Sequence, residues 1–345
     1  MKIYVATREF CLSHQPLRII AKSVRNLFFP TTPRIDFQRT ISIEVSSICD
    51  AKCIFCNYRF NYREKKRASL QWFISVARSS IALGYRHLDL TSMGGELFTH
   101  KDAIAIIRAA KEAGFETIST FTNAIQLHRF DIDELLASGI NFLFISTPGF
   151  SDDLYQQLFG INGYCDFKKS VELLLTAHQR LRSSVQIYFE PRTYLTKREL
   201  QNSEFYSEFI SRYIGRQVHL DLPLRVFDTW GGDITQRDMI KTMKIDHNPL
   251  KSLAPLKKVH PCQRLFMLGV QANGDVRICG CRYDSSIGTI NDSLQIASLA
   301  LGEDFEAFAQ RNDAKIKEIR RNFVNGRLPS LCKKCAFYVP MRCAN

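Results

Sequence analysis

Ser46–Tyr58 reads SSICDAKCIFCNY, with Cys49, Cys53 and Cys56 at the spacing C-x3-C-x2-C. Three thiolates this close along the chain can hold three corners of a [4Fe–4S] cube, whose irons are ordinarily each held by one Cys thiolate. The fourth iron then has no protein ligand and is open to a substrate-like molecule. A structural zinc knuckle competes with this reading. Tetrahedral zinc, however, wants four ligands, usually with a C-x2-C pair, and the nearest histidine along the chain is His87. The cluster is the better fit.

Working outward, the β-rich run ISIEVSS (41–47) leads straight into the cysteine loop. Five more strand-like runs follow at 86–92, 115–121, 140–146, 184–190 and 217–223. Between them lie helical patterns starting at Leu70, Lys101, Asp131, Phe167 and Lys197, several of which end in glycine (Gly84, Gly114, Gly139, Gly215). Six β-α units imply a parallel sheet wrapped by helices, with chemistry at the C-terminal ends of the strands. The cysteine loop after the first strand is in that place. Residues 1–40 read as a basic N-terminal extension closed by the breaker stretch FFPTTPRID, 41–235 as the α/β unit and 236–345 as a cysteine-rich C-terminal region.

The composition is that of a globular domain, 45% hydrophobic and 23% charged over 345 residues. No stretch approaches the roughly 18 apolar residues of a spanning helix, and the N-terminus lacks a secretory core segment. Nine of the eleven cysteines fall into two groups with metal-ligand spacing, which favours a reducing, cytoplasmic location over disulfides. Of the net charge of +13, the first 67 residues carry 13 Lys/Arg against 5 Asp/Glu. Such a bias attracts nucleic acid, anionic lipid or an anionic substrate, or simply solvates a face. Leu17–Phe29 has helical apolar spacing with basic residues between, suited to a membrane surface or to packing on the sheet.

The C-x3-C-x2-C loop, with Phe55 before its third cysteine, resembles the signature of the radical S-adenosylmethionine (radical SAM) enzymes. That resemblance implies a partial (β/α)6 TIM-like barrel and a SAM molecule chelated to the open iron. One electron from an external donor such as flavodoxin or ferredoxin then yields a 5′-deoxyadenosyl radical that takes hydrogen from substrate. Gly94, Gly95 and Glu96 in TSMGGELF resemble the family's GGE element, which holds the SAM amino group. Asn123 in FTNA resembles its TNG turn, with Ala124 in place of the glycine. Ser146 in ISTPG stands where the family places a serine near the SAM carboxylate. Glu190 and Arg192 in YFEPR are candidates for the SAM ribose and carboxylate. The histidines show no paired ligand spacing, which leaves them ordinary surface or core roles.

The second group is Cys262, Cys279, Cys281, Cys332, Cys335 and Cys343. ANGD (272–275) reads as a hairpin turn that brings Cys262 and Cys279 to one end. Two separated cysteines plus a C-x2-C make a four-thiolate site that suits zinc or an iron–sulfur cluster equally by spacing. The arrangement resembles the SPASM and twitch extensions of radical SAM enzymes, which implies one auxiliary [4Fe–4S] cluster on Cys262, Cys279, Cys332 and Cys335. Cys281 and Cys343 are then spare thiols or alternative ligands, and Cys11 and Cys165 ordinary buried residues.

The expected function is hydrogen abstraction from a small polar metabolite of the sugar or aminocyclitol type. The product is an oxidised carbinol carbon, or an epimer if Cys281 returns a hydrogen atom. A peptide-modifying enzyme is one alternative, and an RNA-binding or RNA-modifying protein another. No aromatic–basic RNA motif supports the latter, so nucleic acid is not the expected partner.

Overall fold

The structure, a computed structural model, describes residues 36–56, 58, 64–92, 94–223, 262–279, 294–300, 302–329, 332–333 and 335. Six parallel strands run in chain order: β1 Thr40–Ile43, β2 His87–Asp89, β3 Thr117–Thr122, β4 Phe142–Thr147, β5 Gln186–Pro191 and β6 Val218–Leu220. Their crossovers carry α1 Leu70–Ala82, α2 Ala103–Ala113, α3 Ile132–Ala137, α4 Tyr164–Arg180, and the short α5 Lys197–Gln201 and α6 Glu204–Glu208. Right-handed crossovers of this kind place the helices on one face. The sheet order is β6-β5-β4-β3-β2-β1-β7-β8-β9, and β6 does not pair with β1 among the described residues. The architecture is the expected α/β partial barrel, open along one side.

Strand pattern explains the two faces. In β3 and β4 buried residues alternate with half-buried ones, the two-residue period of a pleated strand. Ile118, Leu143, Ile145, Ile187 and Phe189 are fully buried. The opposite face carries Phe121, Phe144, Ser146 and Glu190, all half-buried. Across it runs a ladder of rings on neighbouring strands: Phe121–Phe144 at 4.6 Å, Phe144–Tyr188 at 5.1 Å and Tyr188–His219 at 4.6 Å between centroids. In β1 every residue is buried, because strands flank it on both sides. Burial of Ile41 and Ile43 stabilises the sheet by about 1.5–3 kcal/mol each.

The C-terminal region joins the same sheet. β7 Leu268–Val270 lies parallel to β1, with Ile41 opposite Leu268. A hairpin through Gly274, whose φ is +93°, leads to the antiparallel β8 Asp275–Ile278, followed by β9 Gln295–Ser298. α7 Phe305–Arg311 and α8 Asp313–Val324 come next. Asp304 caps α7 by accepting from the Glu306 and Ala307 N–H groups, and its other oxygen accepts from Ser79 of α1 at 2.6 Å. The expected boundary near 235, residues 1–35 of the N-terminal extension and, within them, Leu17–Phe29 lie outside the described residues.

Three local expectations need correction. The helical run from Lys197 is broken: Thr196 and Glu199 form a capping box for α5, and a separate α6 starts after Ser203, whose hydroxyl donates back to the Leu200 carbonyl at 2.6 Å. Gly215 is absent from the left-handed residues that include Gly84, Gly114 and Gly139, and instead closes a turn to Val218. Cys165 is exposed on the first turn of α4, not buried.

Candidate active site

The cysteine loop leaves the C-terminal end of β1, where the open sheet exposes its half-buried face. The Cys49 N–H donates to Tyr58 Oη at 3.0 Å, the Cys56 N–H to the Cys53 carbonyl at 3.1 Å, and the Tyr58 N–H to Cys56 Sγ at 3.4 Å. A π-helical turn, Tyr155–Phe159, braces the loop from outside. The Lys52 N–H reaches the Phe159 carbonyl at 2.8 Å and the Ile54 N–H reaches that of Leu158 at 3.0 Å. Such π-turns gather at functional sites. Phe55 is 8% exposed, its ring edge-on to Phe159.

None of the three loop cysteines is in a disulfide, and all three are half-buried. Burial pushes each above the ordinary thiol range, and for Cys49 and Cys53 the charge of the neighbouring thiols adds to the rise. To ionise together in this space, the three thiols would need a polycationic partner. A cubane takes one thiolate per iron corner, which suits three thiols spread along a loop.

The Gly94-Gly95-Glu96 turn is locked against this loop. A Cβ on Gly95 would stand 2.1 Å from the Ser46 carbonyl oxygen, so glycine here serves close approach of two backbones. The Glu96 N–H donates to the Ile48 carbonyl at 2.8 Å, and the Gly94 N–H to Glu44 at 3.2 Å. Glu96 is 5% exposed and accepts from the Phe98 N–H at 3.2 Å and the Asn123 N–H at 2.9 Å. Burial, then the charge of Asp50, pushes its carboxyl up to about 7. Asn123 Nδ2 donates to Asp50 Oδ1 at 2.6 Å. Ala124 takes φ +60°, the conformation a glycine would adopt in that turn.

Ser146, Glu190 and Arg192 also come together. Arg192 Nε donates to Ser146 Oγ at 3.1 Å, its NH2 group lies 3.6 Å from Glu190, and its guanidinium stands 5.7 Å over the Phe121 ring. The same cation partly offsets the rise of the Cys53 and Cys56 thiols, so it acts on the cysteine loop. The residues fit a cofactor bearing an ammonium and a carboxylate. Glu96 and Arg192 offer one charge of each sign, while Asp50 Oδ2 and Ser92 Oγ are buried with no hydrogen-bond partner.

Asp50, Glu44, Ser92 and the π-turn were not singled out from sequence. Asp50 had a usable signal, an acid directly beside the first cysteine. The others had none, since their roles rest on contacts with distant segments. His100 and His178 are buried and bonded to the Ala68 and Val185 carbonyls, in core roles as expected.

In the C-terminal region Cys262 precedes β7 and Cys279 follows β8, so the hairpin brings both to one end. Cys279 sits at φ +67°, an uncommon conformation outside glycine, with its N–H on the Met267 carbonyl at 2.9 Å. Arg320 of α8 donates to the Leu265 carbonyl at 3.1 Å and so ties that helix to the turn after Cys262. The Cys335 N–H closes on the Cys332 carbonyl at 3.3 Å. Cys11, Cys281 and Cys343 lie outside the described residues.

Residues 43–191 match the Radical SAM superfamily. Among curated relatives, a probable GTP 3′,8-cyclase of Saccharolobus solfataricus is 25% identical over 124 residues, 36% of this chain and 39% of that one. The GTP 3′,8-cyclase of Picosynechococcus sp. is 30% identical over 137 residues, 36% of this chain and 41% of that one. The chain thus spans about two fifths of the length of these relatives. The crystal structure of BtrN in complex with AdoMet and 2-DOIA shares the fold. It has a TM-score of 0.50 and 14% identity, and the match covers 88% of this chain and 94% of that one.

Proposed function

We propose, for a chain that carries a radical SAM domain, that Cys49, Cys53 and Cys56 hold a [4Fe–4S] cluster at which SAM binds, and that hydrogen is abstracted from a small polar metabolite. The observation that carries this reading is the lock between the cysteine loop and the Gly94-Gly95-Glu96 turn, which sets a buried carboxylate beside the first thiol, Cys49. When bound, the cluster and SAM supply one-electron reduction and a carbon radical able to take hydrogen from an unactivated C–H bond.

This chain's own residues position and exclude. Glu96 holds the ammonium of SAM, and Asn123 steers Glu96 through its N–H. Arg192, oriented by Ser146 and Glu190, meets the carboxylate. The ring ladder from Phe121 to His219 gives the open face an aromatic lining that would limit water there. Polar groups at its rim, Glu190, His219 and Asp221, suit a hydroxyl-bearing substrate of the sugar or aminocyclitol type. Cys262, Cys279, Cys332 and Cys335 hold one auxiliary cluster in a SPASM or twitch-type extension. A cluster held there would supply a one-electron acceptor for oxidation of a carbinol carbon. If Cys281 returns hydrogen instead, the product is an epimer. An external one-electron donor of the flavodoxin or ferredoxin kind completes the system. No described helix is long and apolar enough to cross a membrane, which suits a cytoplasmic enzyme.

A second reading, a cyclase acting on a purine nucleotide, is favoured by the names of the curated relatives. The test of the shared chemistry is anaerobic turnover of SAM with dithionite. Wild type should form 5′-deoxyadenosine, and the Cys49→Ala/Cys53→Ala/Cys56→Ala variant should form none. Continued formation by the triple variant would sink the reading.

A further inference from the structure

Asp50 directly follows the first loop cysteine, yet its carboxylate turns toward the Gly94-Gly95-Glu96 turn. Its Oδ1 accepts from Asn123 Nδ2 at 2.6 Å, while Asn123 uses its main-chain N–H on Glu96 Oε2 at 2.9 Å. One asparagine therefore holds two carboxylates through its two nitrogens, and both acids border one space beside Cys49. Asp50 Oδ2 is buried with no partner. Among the described residues, neither Asp50 nor Glu96 forms an ion pair with a Lys, Arg or His side chain. A carboxylate oxygen removed from water without a donor is costly. What fits this space is a small cation rich in N–H groups.

We infer that Asp50 is a second carboxylate contact for the ammonium group of SAM, sharing it with Glu96; this rests on the SAM site proposed above. An ammonium carries three N–H donors. Glu96 takes one and Asp50 Oδ2 a second. Asp50 is a binding residue of the cofactor pocket and forms no bond to iron. It also has an opposite effect on the empty protein, where an unsatisfied buried charge destabilises the fold.

The experiment compares cluster-loaded wild type with Asp50→Asn, which keeps the shape and the Oδ1 contact to Asn123 but removes the charge. Ligands are SAM, decarboxylated SAM, which keeps the ammonium, and methylthioadenosine, which lacks it. Affinity is read by calorimetry, and SAM contact by the change in the electron paramagnetic resonance signal of the reduced cluster. Asp50→Asn should bind SAM and decarboxylated SAM about tenfold or more weakly, the loss of a charge-assisted hydrogen bond. It should bind methylthioadenosine as wild type does, keep the same iron content, and match or exceed wild type in SAM-free thermal midpoint. Equal SAM affinity in the two proteins, with the wild-type signal responding to SAM, overturns the role of Asp50 and leaves the SAM site standing. An equal penalty with methylthioadenosine, or lost iron, overturns it as well. A wild-type signal indifferent to SAM overturns the functional reading itself.

Discussion

Glu96 shows how one side chain carries both a cost and a use. Burial, then the charge of Asp50, raises its carboxyl from 4.5 to about 7. An acid raised in the folded state keeps its proton there longer than in the unfolded chain. Stability is therefore whole below about pH 4.5 and falls as pH rises to about 7, after which the loss is constant. The full loss is on the order of 3 kcal/mol. In iron-free protein, denaturant unfolding at pH 5 and pH 8 should show this drop for wild type, and Glu96→Gln should flatten it. The same slope in both would mean another group is responsible. Ala124 is a second residue-scale case. Its φ of +60° is strained for any side chain, so Ala124→Gly should stabilise by up to about 1 kcal/mol. A lower melting midpoint in that variant would show the methyl group to be needed for packing.

Elements in this protein are held by clamps between loops as much as by the sheet. The turn after β2 touches the loop after β1 so closely that Gly95 has no room for a Cβ. Gly95→Ala pushes backbone against backbone, and should cost about 1–3 kcal/mol of overpacking. It should also weaken SAM binding, because Glu96 moves with the turn. A variant with wild-type unfolding midpoint and SAM affinity would show that the two loops can part freely. Most elements were legible from spacing. The 6 strands β1 to β6 lie within the expected runs to within a residue or so, because alternation and helical periodicity belong to consecutive residues. The segment after Lys197 was not legible. Its apolar spacing continues through Asn202 and Ser203, where the Ser203 hydroxyl turns back onto the Leu200 carbonyl and a second helix begins.

At the scale of the molecule, the two cysteine groups share one sheet. β7 lies against β1, and Glu44, 1% exposed, accepts from the Gly94 N–H at 3.2 Å and the Ala272 N–H at 3.3 Å. One buried carboxylate thus ties the turn beside the first cysteine group to the hairpin that carries Cys262 and Cys279. With both groups loaded, anaerobic reconstitution should give about eight iron and eight sulfide per chain, from two cubanes. Cys262→Ala with Cys335→Ala should leave about four iron and retain SAM cleavage. Four iron in wild type would remove the auxiliary cluster from this account.

The amino-acid sequence by itself determined the β-α rhythm, the thiol loop at the end of the first strand and the acid-bearing glycine turn after the second. Each is a property of neighbours in the chain, written in period and spacing. Only the tertiary structure decided that Asn123 would join Glu96 to Asp50, 73 positions away, and that Ala272 would reach Glu44 across 228. It also decided that β7 would extend the barrel sheet at β1 instead of opening a sheet of its own. Partners that far apart leave no periodic trace. They are selected by which polar groups remain unsatisfied once the strands have paired, and that shortage exists only in the folded chain.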